Sequence, residues 1–267
     1  MSETPNPAVA VEHLVTHYGD RQVLSDINLH VRPGEIMVIM GGSGSGKSTL
    51  LNHLLGLLKP SSGTIRLLGE DMNALSHLEL TEIRCRMGVA FQGGALFSSM
   101  TVGENIMLPL REHTRLDART MRIMARMKME VVNLGGFEDL MPAELSGGMI
   151  KRAAFARAII MDPQILFCDE PSAGLDPVVA ATIDQLILDL RAAFNMTIVV
   201  VTHELESAFA IADRICVLDQ GEIRIIGTVD EVRNCHDTRV QALLNRTAED
   251  TVMDPDSYLE RLTGDIL

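Results

Sequence analysis

The spacing of apolar positions along this chain changes period twice. From Val9 to Leu68 apolar residues come in short runs broken by turn formers, which predicts strands at Val9–Tyr18, Gln22–Val31, Ile36–Met40 and Thr64–Leu68. Gly19-Asp20, Arg32-Pro33-Gly34 and Ser61-Ser62-Gly63 supply the breaks, and Gly69-Glu70-Asp71 closes a hairpin. A helix over Leu75–Arg84 and a short strand over Met87–Phe91 follow. From Val102 to Ile160 the period is helical throughout, and Met121, Met124, Met127 or Lys128, and Val131 form a stripe that reads as core packing. Strand runs then return at Gln164–Cys168, Thr197–Val201, Ile215–Leu218 and Glu222–Ile226, separated by helices over Pro177–Phe194 and Leu205–Ala212. Near-continuous apolar strands alternating with helices predict an α/β fold, its mostly parallel sheet covered on both faces, with a helical block inserted.

Residues 41–49 read GGSGSGKST, fitting GxxxxGK followed by Ser or Thr, directly after the apolar run Ile36–Met40. Gly41, Gly42, Gly44 and Gly46, with Ser43 and Ser45, let the backbone curl so that successive N–H groups face phosphate oxygens. The helix that follows adds its positive N-terminal end. Lys47 would reach the β- and γ-phosphates of ATP, and the Ser48 hydroxyl would ligate Mg2+, with Thr49 beside it. Further on, Ile165 to Glu170 is an apolar strand ending in two carboxylates, which belong at the sheet edge beside that loop. Asp169 would hold the metal shell, and Glu170 would polarise the attacking water.

Charge narrows the partners. The 267 residues carry 23 Lys and Arg against 36 Asp and Glu, a net −13, and no basic stripe offsets it, so a nucleic-acid partner is not expected. No apolar stretch approaches the ~20 residues that span a bilayer. Met1 to Ala10 lacks the features of a secretory signal, and the four cysteines form no CxxC pair, so a reduced cytosolic compartment is expected. Residues 236–267 hold three Arg against seven Asp and Glu, 3 − 7 = −4, and read as a tail or docking segment.

Leu145-Ser146-Gly147-Gly148-Met149 resembles the LSGGQ signature of ATP-binding-cassette (ABC) ATPases, with Met149 in place of the usual glutamine. The resemblance extends over residues 9–235 in the family's order. Tyr18 matches the aromatic that stacks on adenine, Gln92 the Q-loop glutamine, Ser172 to Asp176 the D-loop, and His203 the switch histidine. What it implies is a P-loop NTPase (RecA-like) core at 9–91 and 161–235 with an antiparallel β subdomain, a helical subdomain at 92–160, and a tail from 236. It also implies a head-to-tail pair of chains in which Ser146, Gly147 and Gly148 of one copy face the γ-phosphate held by the other. His203 would then bond the γ-phosphate, Gln92 would sense metal and water, and Asp176 would couple the two sites.

Phe91 to Val102, Pro109 to Thr114 and SGGMIKR at 146–152 are more particularly similar to the ATPases of Mce-type lipid transporters, in the maintenance-of-lipid-asymmetry (Mla) branch. This resemblance implies a second copy of the chain, a membrane permease that docks near Gly93–Met107, an MCE-domain protein, a STAS-domain protein, and phospholipid as cargo. The chain would sit on the cytoplasmic face of the inner membrane, held there by the permease.

Overall fold

The computed structural model describes residues 6–245. Two sheets lie among these described residues. Strands β1 (Val9–Tyr18), β2 (Arg21–Val31), β4 (Ser62–Leu67) and β5 (Glu70–Asp71) form an antiparallel sheet in the order β2-β1-β4-β5. The second sheet runs β10-β9-β3-β8-β7-β6, built from β3 (Ile36–Met40), β6 (Met87–Ala90), β7 (Ile165–Asp169), β8 (Thr197–Thr202), β9 (Arg214–Asp219) and β10 (Glu222–Gly227). Its strands are parallel except for the edge hairpin of β9 and β10.

The central strands are apolar on both faces because both are covered. Ile36, Val38 and Met40 face one core with Leu166, Cys168, Ile198 and Val200; Met37 and Ile39 face the other with Phe167, Val199 and Val201. The first core is closed by α3 (Val102–His113), α4 (Ala118–Val131), α5 (Gly147–Ala158), α6 (Pro177–Phe194) and α7 (Leu205–Ile211). The second is closed by α1 (Lys47–Leu54), α2 (His77–Cys85) through Ile83, and the antiparallel sheet. Each fully buried Leu, Ile or Phe contributes about 1.5–3 kcal/mol, so the two cores hold the parallel sheet rigidly between them. Helix α5 lies so close to β6 that a methyl on Gly88 would come 2.3 Å from the Ala158 carbonyl oxygen.

Register decides where the site lies. Met40 pairs with Thr202, Asp169 with Val201, and Ala90 with Cys168, so β3, β8, β7 and β6 end level with one another at their C-terminal edge. The loops that follow carry the glycine-rich segment, His203, Glu170 and Gln92.

Three readings of the pattern change. The segment 102–160 is not helical throughout: Asn133 adopts φ 53°, Gly136 φ 82°, and only a 3-10 turn at Pro142–Glu144 precedes α5. The paired glycines at 135 and 136 and Pro142 interrupt the helix. The methionine stripe holds only in part: Met121 and Met124 pack beside the buried Ala125 and Met129, and the Lys128 side chain is largely buried. Met127, two residues from each buried position, points the other way and is 63% exposed, and Val131 is exposed too. Finally, α8 (Val229–Arg233) and α9 (Thr238–Asn245) continue the fold, and Val240 is buried, so the predicted tail is ordered through Asn245; the rest of it lies outside the described residues.

One buried polar pair joins α1 to the antiparallel sheet. His53 on α1 is 1% exposed, with Nδ1 3.1 Å from the Leu58 carbonyl oxygen and Nε2 2.7 Å from Thr16 Oγ1 on β1. A carbonyl only accepts, so Nδ1 carries the proton and Nε2 accepts from the threonine hydroxyl. Burial holds the imidazole's pKa below its ordinary 6.5. The unfolded chain therefore takes up a proton that the folded chain resists, and stability falls as pH drops below 6.5, by up to about 1.4 kcal/mol per unit until the folded group also protonates. Urea unfolding of the wild type and His53→Gln above and below that pH measures this: the variant should lose less stability on acidification, and an equal loss would assign the slope to other groups.

Candidate nucleotide site

The phosphate loop is shaped by two close approaches. A methyl on Gly41 would come 2.0 Å from the Leu218 carbonyl oxygen of β9, so only glycine fits where the loop leaves β3. Gly46 caps α1 in the left-handed region at φ 105°, with Leu24 pressed against it. Gly42 and Gly44, by contrast, face open space. Lys47 Nζ turns back into the loop and donates to the carbonyls of Gly41 and Gly42, both at 2.8 Å. Burial depresses its pKa, and the nearby Glu170 and Asp169 carboxylates oppose that shift.

The acids follow from β7. Asp169 ends the strand, and its pKa is raised by burial first and then by Glu170, with Lys151 and Lys47 pulling the other way. Glu170 takes a left-handed φ of 47° and is buried. Its carboxylate accepts from Thr202 Oγ1 at 3.0 Å and from His203 Nδ1 at 2.8 Å, so the histidine carries its proton on Nδ1. Its main chain is tied at both ends, N–H to the Val201 carbonyl and C=O to Lys151 Nζ, each at 2.8 Å.

These groups open into one cleft of about 1040 Å³, lined by Gly41, Gly42, Ser43, Gly44, Ser45, Lys47, Ser48, Gln92, Asp169, Glu170 and His203. Gly46 and Thr49 sit behind that lining, as cap and third helical residue of α1. Tyr18 is half-exposed at the end of β1 and does not line the cleft. Ser146, Gly147, Gly148 and Asp176 lie outside it as well. Ser146 caps α5 by accepting from Met149 N–H at 3.3 Å, and Asp176 caps α6 by accepting from Val178 and Val179 N–H, both at 3.1 Å. The two capped helix starts pack together: a methyl on Gly148 would come 2.8 Å from Val179 Cγ1, and one on Gly147 3.3 Å from Leu175 Cδ2. Tyr18 apart, the predicted residues thus form two clusters within one chain.

Several residues at or beside the cleft were not predicted. Thr202 positions Glu170, Lys151 reaches two motifs, and α9 contributes Arg239, Ala242 and Leu243 to the wall, with Arg239 Nη1 2.8 Å from Asp219 Oδ2. Next to Arg152, Lys151 reads from the sequence as a surface lysine, and only the packing of α5 reveals its burial.

The donor set suits a magnesium nucleotide. Among the described residues no three His, Cys, Asp or Glu side chains converge to hold a metal alone. The Ser48 hydroxyl and the Asp169 carboxylate are hard oxygen donors of the kind that hold Mg2+ together with phosphate oxygens and water.

The family model for ABC transporters matches residues 24–173, more than half of the chain and nearly the whole span from β2 to the D-loop. The chain belongs to the ABC transporter ATP-binding family. It is the ATP-binding, ATP-hydrolysing subunit of a transporter, with the P-loop NTPase fold. This ABC ATPase is 41% identical over 91% of its length to the intermembrane phospholipid transport system ATP-binding protein MlaF of Haemophilus influenzae, covering 92% of that protein. A probable ribonucleotide transport ATP-binding protein, mkl, of Mycobacterium leprae is also 41% identical over 89% of this chain and 69% of its own length. Among solved structures, the dimeric cassette MJ0796 in a post-hydrolysis state bound to ADP and Pi is 34% identical with a TM-score of 0.76, over 83% of this chain and 98% of that one. The cassette cbiO1 of Clostridium perfringens, part of the ABC transporter complex cbiONQ, is 28% identical with a TM-score of 0.79, over 96% of this ABC ATPase and 99% of that chain.

The loop geometry separates two neighbouring glycines. Gly41→Ala drives a methyl into the Leu218 carbonyl and should weaken ATP binding by on the order of tenfold or more. Gly42→Ala meets nothing and should leave affinity within about threefold. Equilibrium binding of a fluorescent ATP analogue measures both; equal behaviour of the two variants would contradict the close approach at Gly41.

Proposed function

We propose that two copies of this ABC ATPase sandwich two ATP molecules head to tail, and that closure of the pair drives a membrane permease moving phospholipid. One observation carries the reading: the acids, the phosphate loop and His203 share a cleft, while Ser146 to Gly148 offer a second helix N-terminus outside it. A helix N-terminus is an anion site, and a second chain is the partner that brings it to the γ-phosphate. The dimeric state of the MJ0796 cassette supports this arrangement.

In the proposed cycle the phosphates settle on the loop N–H groups, and Lys47 exchanges its carbonyl contacts for the β- and γ-phosphates. Tyr18 stacks on adenine. Ser48, Asp169 and Gln92 would hold Mg2+, which would supply neutralising charge to the phosphates. Glu170 orients and polarises the attacking water, His203 holds the γ-phosphate, and Asp176 reports across the interface. Loss of the γ-phosphate reopens the pair. On this reading 9–91 and 161–235 are the catalytic core, 92–160 the coupling subdomain, and 236–267 an added C-terminal segment.

The phospholipid cargo follows from the likeness to MlaF proteins of Haemophilus influenzae and Escherichia coli, the latter 41% identical over 88% of this chain. The partners are then a permease, an MCE-domain protein and a STAS-domain protein. Among the described residues no helix is long and apolar enough to cross a membrane, so the permease would hold the ATPase at the cytoplasmic face of the inner membrane.

Glu170→Gln keeps the shape of the side chain but not the base, and should lower turnover by about 10²–10⁴-fold while ATP-bound dimers accumulate. Steady-state ATPase assays with size-exclusion chromatography read both, and near-native turnover would remove Glu170 from its role. For cargo, mass spectrometry of the native complex should find phospholipid and an MCE protein; a solute-binding protein in their place would overturn the lipid reading.

A further inference from the structure

Lys151 is buried in the fifth position after the α5 cap, a place where a cation needs specific partners. It has them. Its ammonium donates to the main-chain carbonyl of Gln92 and, at 2.8 Å, to that of Glu170. Burial lowers its pKa, and the charges of Glu170 and Asp169 hold it up, so the ammonium lies within the field of both acids. One side chain on the signature helix therefore touches the Q-loop and the residue that follows the metal-holding aspartate.

The same helix grips the Q-loop at two further points. Arg157 donates to the carbonyls of Ala95 at 2.6 Å and Gly94 at 2.8 Å, and the Gly94 backbone is packed against Ile150. Glu170 needs such fixing, because a left-handed φ costs a non-glycine residue about 1–2 kcal/mol and persists only where its surroundings hold it.

We propose that Lys151 is a positioning residue for ATP hydrolysis: it sets the backbone of Glu170 and Gln92 against the signature helix, so that engagement of Ser146 to Gly148 at one ATP is transmitted to the water-activating groups at the other. The proposal rests on the paired-site reading above. In each chain α5 begins at the signature, and Lys151 lies five residues from its cap. A shift of α5 on meeting a γ-phosphate moves the ammonium, and with it both carbonyls. Lys151 does not line the nucleotide cleft and acts through Gln92 and Glu170, which do.

The test compares Lys151→Met, which keeps the stem and removes the donors, with Lys151→Arg, which keeps charge and donors, in the full-length chain assembled with its transporter. Misplacing a catalytic group by about 1 Å costs on the order of 100-fold, so Lys151→Met should lower kcat by about that factor. Its KM for ATP, and the Kd of a fluorescent ATP analogue, should stay within about threefold of wild type, because the phosphate loop is intact. Lys151→Arg should restore at least about tenfold of the lost kcat by keeping the donors. A kcat for Lys151→Met within about threefold of wild type overturns the proposal, and so does a parallel fall of kcat and ATP affinity in both variants, which marks a merely structural lysine. If Lys151→Met does not fold, Lys151→Gln, uncharged and shorter, decides by the same split between kcat and ATP affinity. Glu170→Gln runs alongside: normal turnover there would sink the reading of the site itself, whereas its loss with Lys151→Met unaffected sinks only the role of Lys151.

Discussion

Two carboxylates in succession at the buried end of one strand are the constraint that the rest of this molecule answers. Burial raises the cost of ionising Asp169, and the neighbouring Glu170 charge adds to it, as the raised pKa of Asp169 records. Lys47 from the phosphate loop and Lys151 from the signature helix bring compensating charge, each depressed by burial and sustained by the acids. Thr202 and His203, on and after the adjacent strand, supply the hydrogen bonds that fix the Glu170 carboxylate. The elements that meet at this edge are thus tied by two positive and two negative side chains. A magnesium nucleotide entering the cleft would add its own charges to this cluster, and on the proposed role of Lys151 that is how nucleotide state would be coupled to the position of α5.

Geometry makes the cleft half of a machine. The parallel strands end in register, so groups far apart in sequence, such as Lys47 and Glu170, reach one edge without any long loop. The signature and D-loop caps, packed on one another through Gly147, Gly148, Leu175 and Val179, form a second unit whose residues stand outside that cleft. On the proposed pairing, the helix N-terminus left outside the nucleotide cleft serves the nucleotide of a second chain, and association carries the energy that a single cleft lacks.

Much of this was legible in the sequence because the chemistry demands contiguous strings. The phosphate loop needs glycine where the backbone passes Leu218, and the acids need an apolar strand before them; both requirements leave a local mark at Gly41 and at Ile165 to Glu170. The alternation of strands and helices carried the α/β fold for the same reason. What escaped depends on packing between distant segments. Lys151 reads as a surface lysine until α5 is laid on β6 and its ammonium meets two carbonyls. Met127 looked like core because a stripe read by spacing alone does not reveal which face of α4 meets the sheet. The segment after Asp237 was read from its charge, yet Val240 and Leu243 pack inward and its helix walls the cleft.

The paired site is tested most directly by mixing two inactive chains. Lys47→Ala spoils the phosphate loop and leaves the signature intact, while Ser146→Arg does the reverse. A mixed pair contains one site with both halves sound, so ATP turnover should appear on mixing chains that are each inactive alone. If the mixture stays as inactive as its components while the two chains are seen to associate, no site is shared between chains, and the head-to-tail pairing is wrong.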